Sequence, residues 1–214
     1  MPLNWDFSTL ADQLGHIIHQ TEADLRLEQA VYGLDANDEK AIQSLLADGM
    51  RTHFEVAREV HYPSSHGDKL THRQRCDLVL TPKGKPLRQD SAPLTLFDAP
   101  NQAEPSEAFW LEVKVAYQFR EGGQRHGGYG PQFRQAVVAD LRKMESEPLI
   151  REAGLLLVVF NESAEVLAKD LELFEDVLIR KEVIAGFRQV RSTAILDRIG
   201  HCVCTIALWP TLQR

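Results

Sequence analysis

The sequence predicts an α/β domain in which helices flank a mixed central sheet. Three observations carry that prediction. Apolar residues recur at helical spacing as far as Met50. From Phe54 the period shortens to two, the period of a half-buried strand. Beyond that point strand-like and helix-like segments alternate, and one of them, Gly154 to Phe160, is a continuous apolar run of the kind covered on both faces.

The first helix is expected from a cap at Ser8, with Leu10, Leu14, Ile17 and Ile18 on its buried stripe, continuing through Leu27. Gly33 and Asn37 interrupt the pattern, and a second helix begins near Asn37, placing Ile42, Leu45, Leu46 and Met50 on one face. On that wheel Glu39 falls about 60° from Ile42 and about 20° from Leu46, so a carboxylate sits at the edge of the stripe. Its two readings are a first-turn acid favoured by the helix dipole and a member of a site.

Phe54, Val56, Val60 and Tyr62 alternate with Glu55, Ala57, Glu59 and His61, which predicts a strand ending at Pro63. Arg75 to Leu80 is a second strand, mostly apolar, with a single acid, Asp77. Thr81 to Ala108 holds half of the ten prolines and no sustained periodicity, so it reads as a long excursion between strands. Phe109 to Tyr117 is the third strand. The glycine-rich stretch Gln118 to Gly130 carries Arg120, Arg125 and His126 and is expected to be mobile and basic. A helix follows from Pro131 with Phe133, Val137, Val138, Leu141 and Met144. Ser163 caps another helix, with Leu167, Leu171, Phe174 and Leu178 buried, and a last strand runs from His201 to Trp209. The first three strands are expected to be antiparallel neighbours, and the strand at Gly154, reached through a helix, is free to pair in parallel.

A chain of 214 residues, 43% hydrophobic and 26% charged, suits a single elaborated domain over 1–214. No apolar run is long enough to span a membrane, and Met1 to Thr9 lacks the basic cluster of a secretion signal. Cys76, Cys202 and Cys204 form neither a disulfide framework nor a usual zinc spacing, and the last two are expected on one face of a strand. A cytoplasmic location is expected. The net charge of −7 weighs against indiscriminate nucleic-acid binding but leaves room for a local basic patch.

Asp77 interrupts Cys76, Leu78, Val79 and Leu80, while Glu112 and Lys114 interrupt Leu111, Val113 and Val115. Charges inside such runs are unfavourable unless partnered. Residues two apart share a strand face, so Glu112 and Lys114 project together. Pairing of the strands that carry Asp77 and Glu112 would bring two carboxylates and one ammonium to one spot. Two carboxylates suit Mg²⁺, which keeps several waters and takes few protein ligands. A surface cross-strand ion pair is the simpler reading of Glu112 and Lys114.

The segments Arg75-Cys76-Asp77-Leu78-Val79-Leu80 and Leu111-Glu112-Val113-Lys114-Val115 together resemble the PD-(D/E)xK nuclease superfamily. So does the preceding stretch Arg58 to Pro63. The resemblance spans roughly residues 37 to 160 and implies a restriction-endonuclease-like α-β-β-β-α-β core. Residues 1–36 would then be an N-terminal helical extension and 161–214 a C-terminal addition. Cys76 stands where the superfamily's name has proline. The resemblance implies Mg²⁺, replaceable by Mn²⁺, on Asp77 and Glu112, with Lys114 orienting water. It adds a helical glutamate, for which Glu39 matches better than Asp38, and a glutamine facing the site, for which Gln135 is preferred to Gln132. The implied activity is metal-dependent phosphodiester hydrolysis of nucleic acid, DNA in preference to RNA. A homodimer, or a partner supplying specificity, would go with it. The rival is a non-enzymatic nucleic-acid- or protein-binding protein that keeps the fold.

His61, His66 and His72 lie near one another without regular zinc spacing. Arg120, Arg125 and His126 follow directly on the third strand and are the candidate contacts to a nucleic-acid backbone. Trp110 and Trp209 read as core residues rather than stacking platforms.

Overall fold

The computed structural model of the chain describes residues 5–64, 74–88, 101–131 and 135–211. Helix α1, Phe7–Leu27, buries Leu10, Ala11, Leu14 and Ile18. Its cap is Asp6 rather than Ser8. The Asp6 carboxylate accepts the main-chain N–H groups of Ser8 and Thr9, satisfying donors that the first turn leaves open. Helix α2, Glu39–Met50, is capped by Asp38 and buries Ile42, Gln43, Leu46, Ala47 and Met50.

Six strands form one mixed sheet in the order β1-β2-β3-β4-β6-β5. They are β1 Phe54–His61, β2 Arg75–Pro82, β3 Phe109–Tyr117, β4 Glu152–Asn161, β5 Gln189–Ala194 and β6 Val203–Pro210. The pairs β1/β2 and β2/β3 are antiparallel and β3/β4 is parallel, as expected. Strand β6 runs antiparallel to both β4 and β5. Strand β5 was not anticipated: Gln189-Val-Arg-Ser-Thr-Ala is an edge strand whose polar side chains carry no apolar period.

Helices α1 and α2 cover one face of the sheet, packing on Leu78, Leu80, Leu111, Val113, Leu156 and Ile206. The other face is covered by α4, Val137–Glu145, and α5, Ala164–Arg180, the latter capped by Ser163 as expected. The predicted helix start at Pro131 falls in α3, Tyr129–Pro131, and residues 132–134, between it and α4, are outside the described ones. Phe133 lies outside the described residues. Trp110 and Trp209 are buried in the α4/α5 layer. Strand β4 is buried from Ala153 to Asn161, which accounts for its unbroken apolar run.

Strict alternation along β1 fails at one residue. Phe54 and Val56 pack toward α1 and α2, whereas Val60 and Tyr62 pack toward α4 and α5. The switch occurs at Glu59, whose φ of 51° lies in the left-handed region and resets the phase of the strand. The same register position in β2 falls at Asp77: Cys76 and Val79 face one layer, Leu78 and Leu80 the other.

Cys204 is buried and Cys202 exposed, because the strand begins only at Val203. The expected shared strand face for the two cysteines is therefore not formed. Within the proline-rich excursion, Leu87 and Ala103 form an isolated bridge, and residues 89–100 lie outside the described ones. The glycine-rich stretch after β3 turns back on itself. The Phe119–Arg125 bridge and the His126 N–H donated to the Gln118 carbonyl close it into a tight hairpin. Among the described residues no helix is long and apolar enough to cross a membrane.

Candidate functional site in the fork between β2 and β3

Strands β2 and β3 are paired only over Leu78↔Leu111, Val79↔Trp110 and Leu80↔Phe109. Beyond Leu111 they diverge, while β3 stays paired with β4 through Tyr117. The β2-facing edge of β3 therefore needs other acceptors for its N–H groups. Two carboxylates supply them. Asp77 Oδ2 accepts from Val113 N at 2.8 Å, and Glu39 Oε2 accepts from Val115 N at 3.3 Å.

These carboxylates bracket Lys114. Its Nζ lies 3.8 Å from Asp77, 3.7 Å from Glu39 and 3.5 Å from Asp140 of α4. Burial works against the ammonium charge, but Asp77, Asp140, Glu39 and Glu112 outweigh it and hold the group above the usual lysine range. Lys114 is thus a fixed cation at the centre of the fork.

Glu112 is 2% exposed and projects toward α4. Its Oε1 accepts from the Tyr62 hydroxyl at 2.6 Å and from Lys143 Nζ at 2.5 Å. Lys143 also lies 4.9 Å from the centre of the Tyr62 ring, which stacks on Trp110. Burial and then the negative charge of Asp77 push the Glu112 carboxyl up to about 7, against the opposing pull of Lys143 and Tyr62. Asp77, Lys114 and Glu39 are therefore grouped by direct contact, and Glu112 is joined to them through Lys143 and Asp140.

A divalent cation can be tested against this arrangement. The hydrogen bonds above commit one oxygen of each carboxylate, Asp77 Oδ2 and Glu112 Oε1. Burial first, and the Asp77 charge second, disfavour the ionised Glu112 carboxyl, and a cation would relieve both. Among the described residues no three His, Cys, Asp or Glu side chains are grouped to hold an ion. A cation here would rest on Asp77, Glu112 and water, a ligand set that suits Mg²⁺. The residues fit in kind, with Lys143 as a competitor for Glu112.

Sequence reasoning missed Tyr62, Asp140 and Lys143 as site residues. Asp140 was detectable in principle: it lies about 40° from Met144 on the helical wheel, at the edge of the buried stripe, as Glu39 does on α2. Gln135, placed just before α4, is exposed, and Gln132 lies outside the described residues. His66 and His72 also lie outside them. Arg120 and His126 line an open cleft of about 830 Å³ beside the fork, together with Asn37 and Asp38 at the start of α2. Arg125 points away, 77% exposed, with its guanidinium 3.7 Å from Glu162.

No protein-family model, no curated protein and no solved structure is significantly similar to the chain.

Proposed function

We propose that the chain is a metal-dependent nuclease that hydrolyses phosphodiester bonds, acting on DNA in preference to RNA. The observation that carries this reading is the meeting of Asp77, Glu112 and Lys114, with Glu39, where the sheet opens between β2 and β3. Asp77 and Glu112 would hold a divalent cation, which when bound supplies Lewis-acid stabilisation of charge on the scissile phosphate. Lys114 is kept cationic and aimed by the surrounding carboxylates, so it can donate hydrogen bonds to a phosphate oxygen or to the attacking water. Asp77 is held in place by the Val113 N–H, and Glu112 by Tyr62 and Lys143, so both approach the substrate in fixed orientations.

The test is incubation of single-stranded and duplex DNA with the protein in Mg²⁺, Mn²⁺ or EDTA. Cleavage in either metal, absent in EDTA and lost in folded Asp77→Asn, Glu112→Gln and Lys114→Met variants, is the expected result. Cleavage that survives all three substitutions would rule out this site.

One observation favours a second reading, a non-enzymatic binding protein. Lys143 already supplies a cation to Glu112 at 2.5 Å, which is how a structural ion-pair network would satisfy the acid. Calorimetry separates the two: under the second reading wild type binds no Mn²⁺, and Glu112 stays paired with Lys143.

A further inference from the structure

Two lysines of the fork share one acid. Asp140 of α4 accepts from Lys143 Nζ on Oδ1 at 3.2 Å, and its Oδ2 lies 3.5 Å from Lys114 Nζ. Neither lysine is sealed from solvent: 21% of the Lys114 side chain and 20% of that of Lys143 is exposed. Two ammonium groups set on the two oxygens of one carboxylate match the two non-bridging oxygens of a phosphodiester.

Charge decides when a phosphate can enter. Among the described residues four carboxylates, Glu39, Asp77, Glu112 and Asp140, contact these two ammonium groups and leave two negative charges in excess. Such a place repels an anion until a divalent cation offsets the excess. Lys143 is the group that this event alters most. Its closest contact is the Glu112 carboxylate at 2.5 Å, while Asp140 at 3.2 Å and the centre of the Tyr62 ring at 4.9 Å lie farther off. A cation on Glu112 takes over that negative charge and sets two like charges beside the ammonium, which loosens the pair. Asp140 still tethers Lys143 on the side of Lys114.

We infer that Lys143 is a second phosphate ligand held in reserve by Glu112: a cation bound at Glu112 releases it to join Lys114 on the DNA backbone, so cation and phosphate enter the site together. The inference rests on the nuclease reading and names what regulates its site. Lys143 then contacts substrate, and Asp140 is the positioning residue between the two lysines. Glu112→Gln imitates the release without metal, because the amide keeps an acceptor for Tyr62 but not the charge that holds Lys143.

The salt dependence of DNA binding in EDTA at mildly alkaline pH tests this, read by anisotropy of a short fluorescein-labelled duplex. Each phosphate neutralised adds about 0.9 to the slope of log affinity against log salt. Glu112→Gln should bind more tightly than wild type, with a slope steeper by about one, and adding Lys143→Met to it should restore the wild-type slope. Lys143→Met alone should leave that slope unchanged, since without metal the ammonium is engaged by Glu112. Tighter binding of Glu112→Gln with no steeper slope reflects only the lost negative charge and overturns the inference. The same titration in Ca²⁺ needs no change at Glu112: wild type should there show a slope steeper by about one than Lys143→Met, and equal slopes again overturn it. A parallel Mg²⁺ cleavage assay keeps the readings apart. Wild-type cleavage with equal slopes overturns the inference alone, whereas wild type that neither cleaves nor binds DNA overturns the two together.

Discussion

Asp77 Oδ2 accepts the main-chain N–H of Val113 at 2.8 Å, across the gap that opens where β2 leaves β3. The contact gives Asp77 a structural task as well as a chemical one. It replaces a missing ladder hydrogen bond, and it fixes the carboxylate beside Lys114.

The two tasks can be separated by substitution. Asp77→Ala leaves the Val113 N–H without its acceptor and is expected to destabilise the fold by about 1–3 kcal/mol. Asp77→Asn keeps an acceptor oxygen for Val113 while removing the charge. Urea denaturation should place the Asn variant close to wild type, and calorimetry should find Mn²⁺ binding lost in both. Retention of Mn²⁺ binding by Asp77→Asn would remove Asp77 from the cation site.

Glu112 predicts a pH dependence with a definite sign. Its carboxyl is raised from 4.5 to about 7 in the folded protein. Between those values the folded state keeps a proton that the unfolded state has released, so stability falls as pH rises through this window and levels off above it. At about 1.4 kcal/mol per tenfold change the whole effect is about 3 kcal/mol. Denaturation of wild type and Glu112→Gln in EDTA at about pH 5 and about pH 8 should show the variant gaining relative stability at the higher pH. A constant difference between the two proteins contradicts the buried, repelled carboxyl. Divalent binding should strengthen over the same window, because Glu112 must give up its proton to the cation.

Lys143 occupies Glu112 Oε1 at 2.5 Å. Replacing it with Met removes the cation that opposes the upward push on the Glu112 carboxyl, so the acid keeps its proton to higher pH and the expected loss of about 3 kcal/mol appears at alkaline pH, where the acid is ionised. Added Mn²⁺ should restore more melting temperature to Lys143→Met than to wild type, since the ammonium no longer competes. If Mn²⁺ shifts the two proteins equally, Lys143 is not a competitor for the ion.

The seating of α2 against α1 depends on a glycine. A Cβ at Gly49 would lie 2.5 to 3.0 Å from Cγ1, Cδ1 and Cγ2 of Ile17. The added methyl must push a branched side chain aside, which outweighs alanine's better helix propensity, so Gly49→Ala should cost about 1–2 kcal/mol. Thermal denaturation reads this directly, and the compensating Gly49→Ala, Ile17→Val pair should recover part of the loss. Because Glu39 starts the same helix, the single variant should also weaken the Glu39 contact with Lys114, read as a fall in cleavage rate.

Local chemistry determined much of this protein. Helix periodicity, the Ser163 cap, the apolar run of β4 and the Glu112-x-Lys114 spacing follow from side-chain period and burial, which neighbouring residues encode. Those features also brought out Asp77 and Glu39 as charges set against buried stripes. The edge strand β5 escaped because its polar face leaves no period to read, and Tyr62 was placed with Phe54 and Val56 because nothing in β1 announces the reversal at Glu59. Only the tertiary structure decided that β2 and β3 separate past Leu111, since that depends on where two distant segments stop pairing. The same fork let α2 and α4 deliver Glu39, Asp140 and Lys143 to strand residues remote from them in sequence. Long-range contacts of this kind are set by packing of whole layers, and no local pattern in the chain records them.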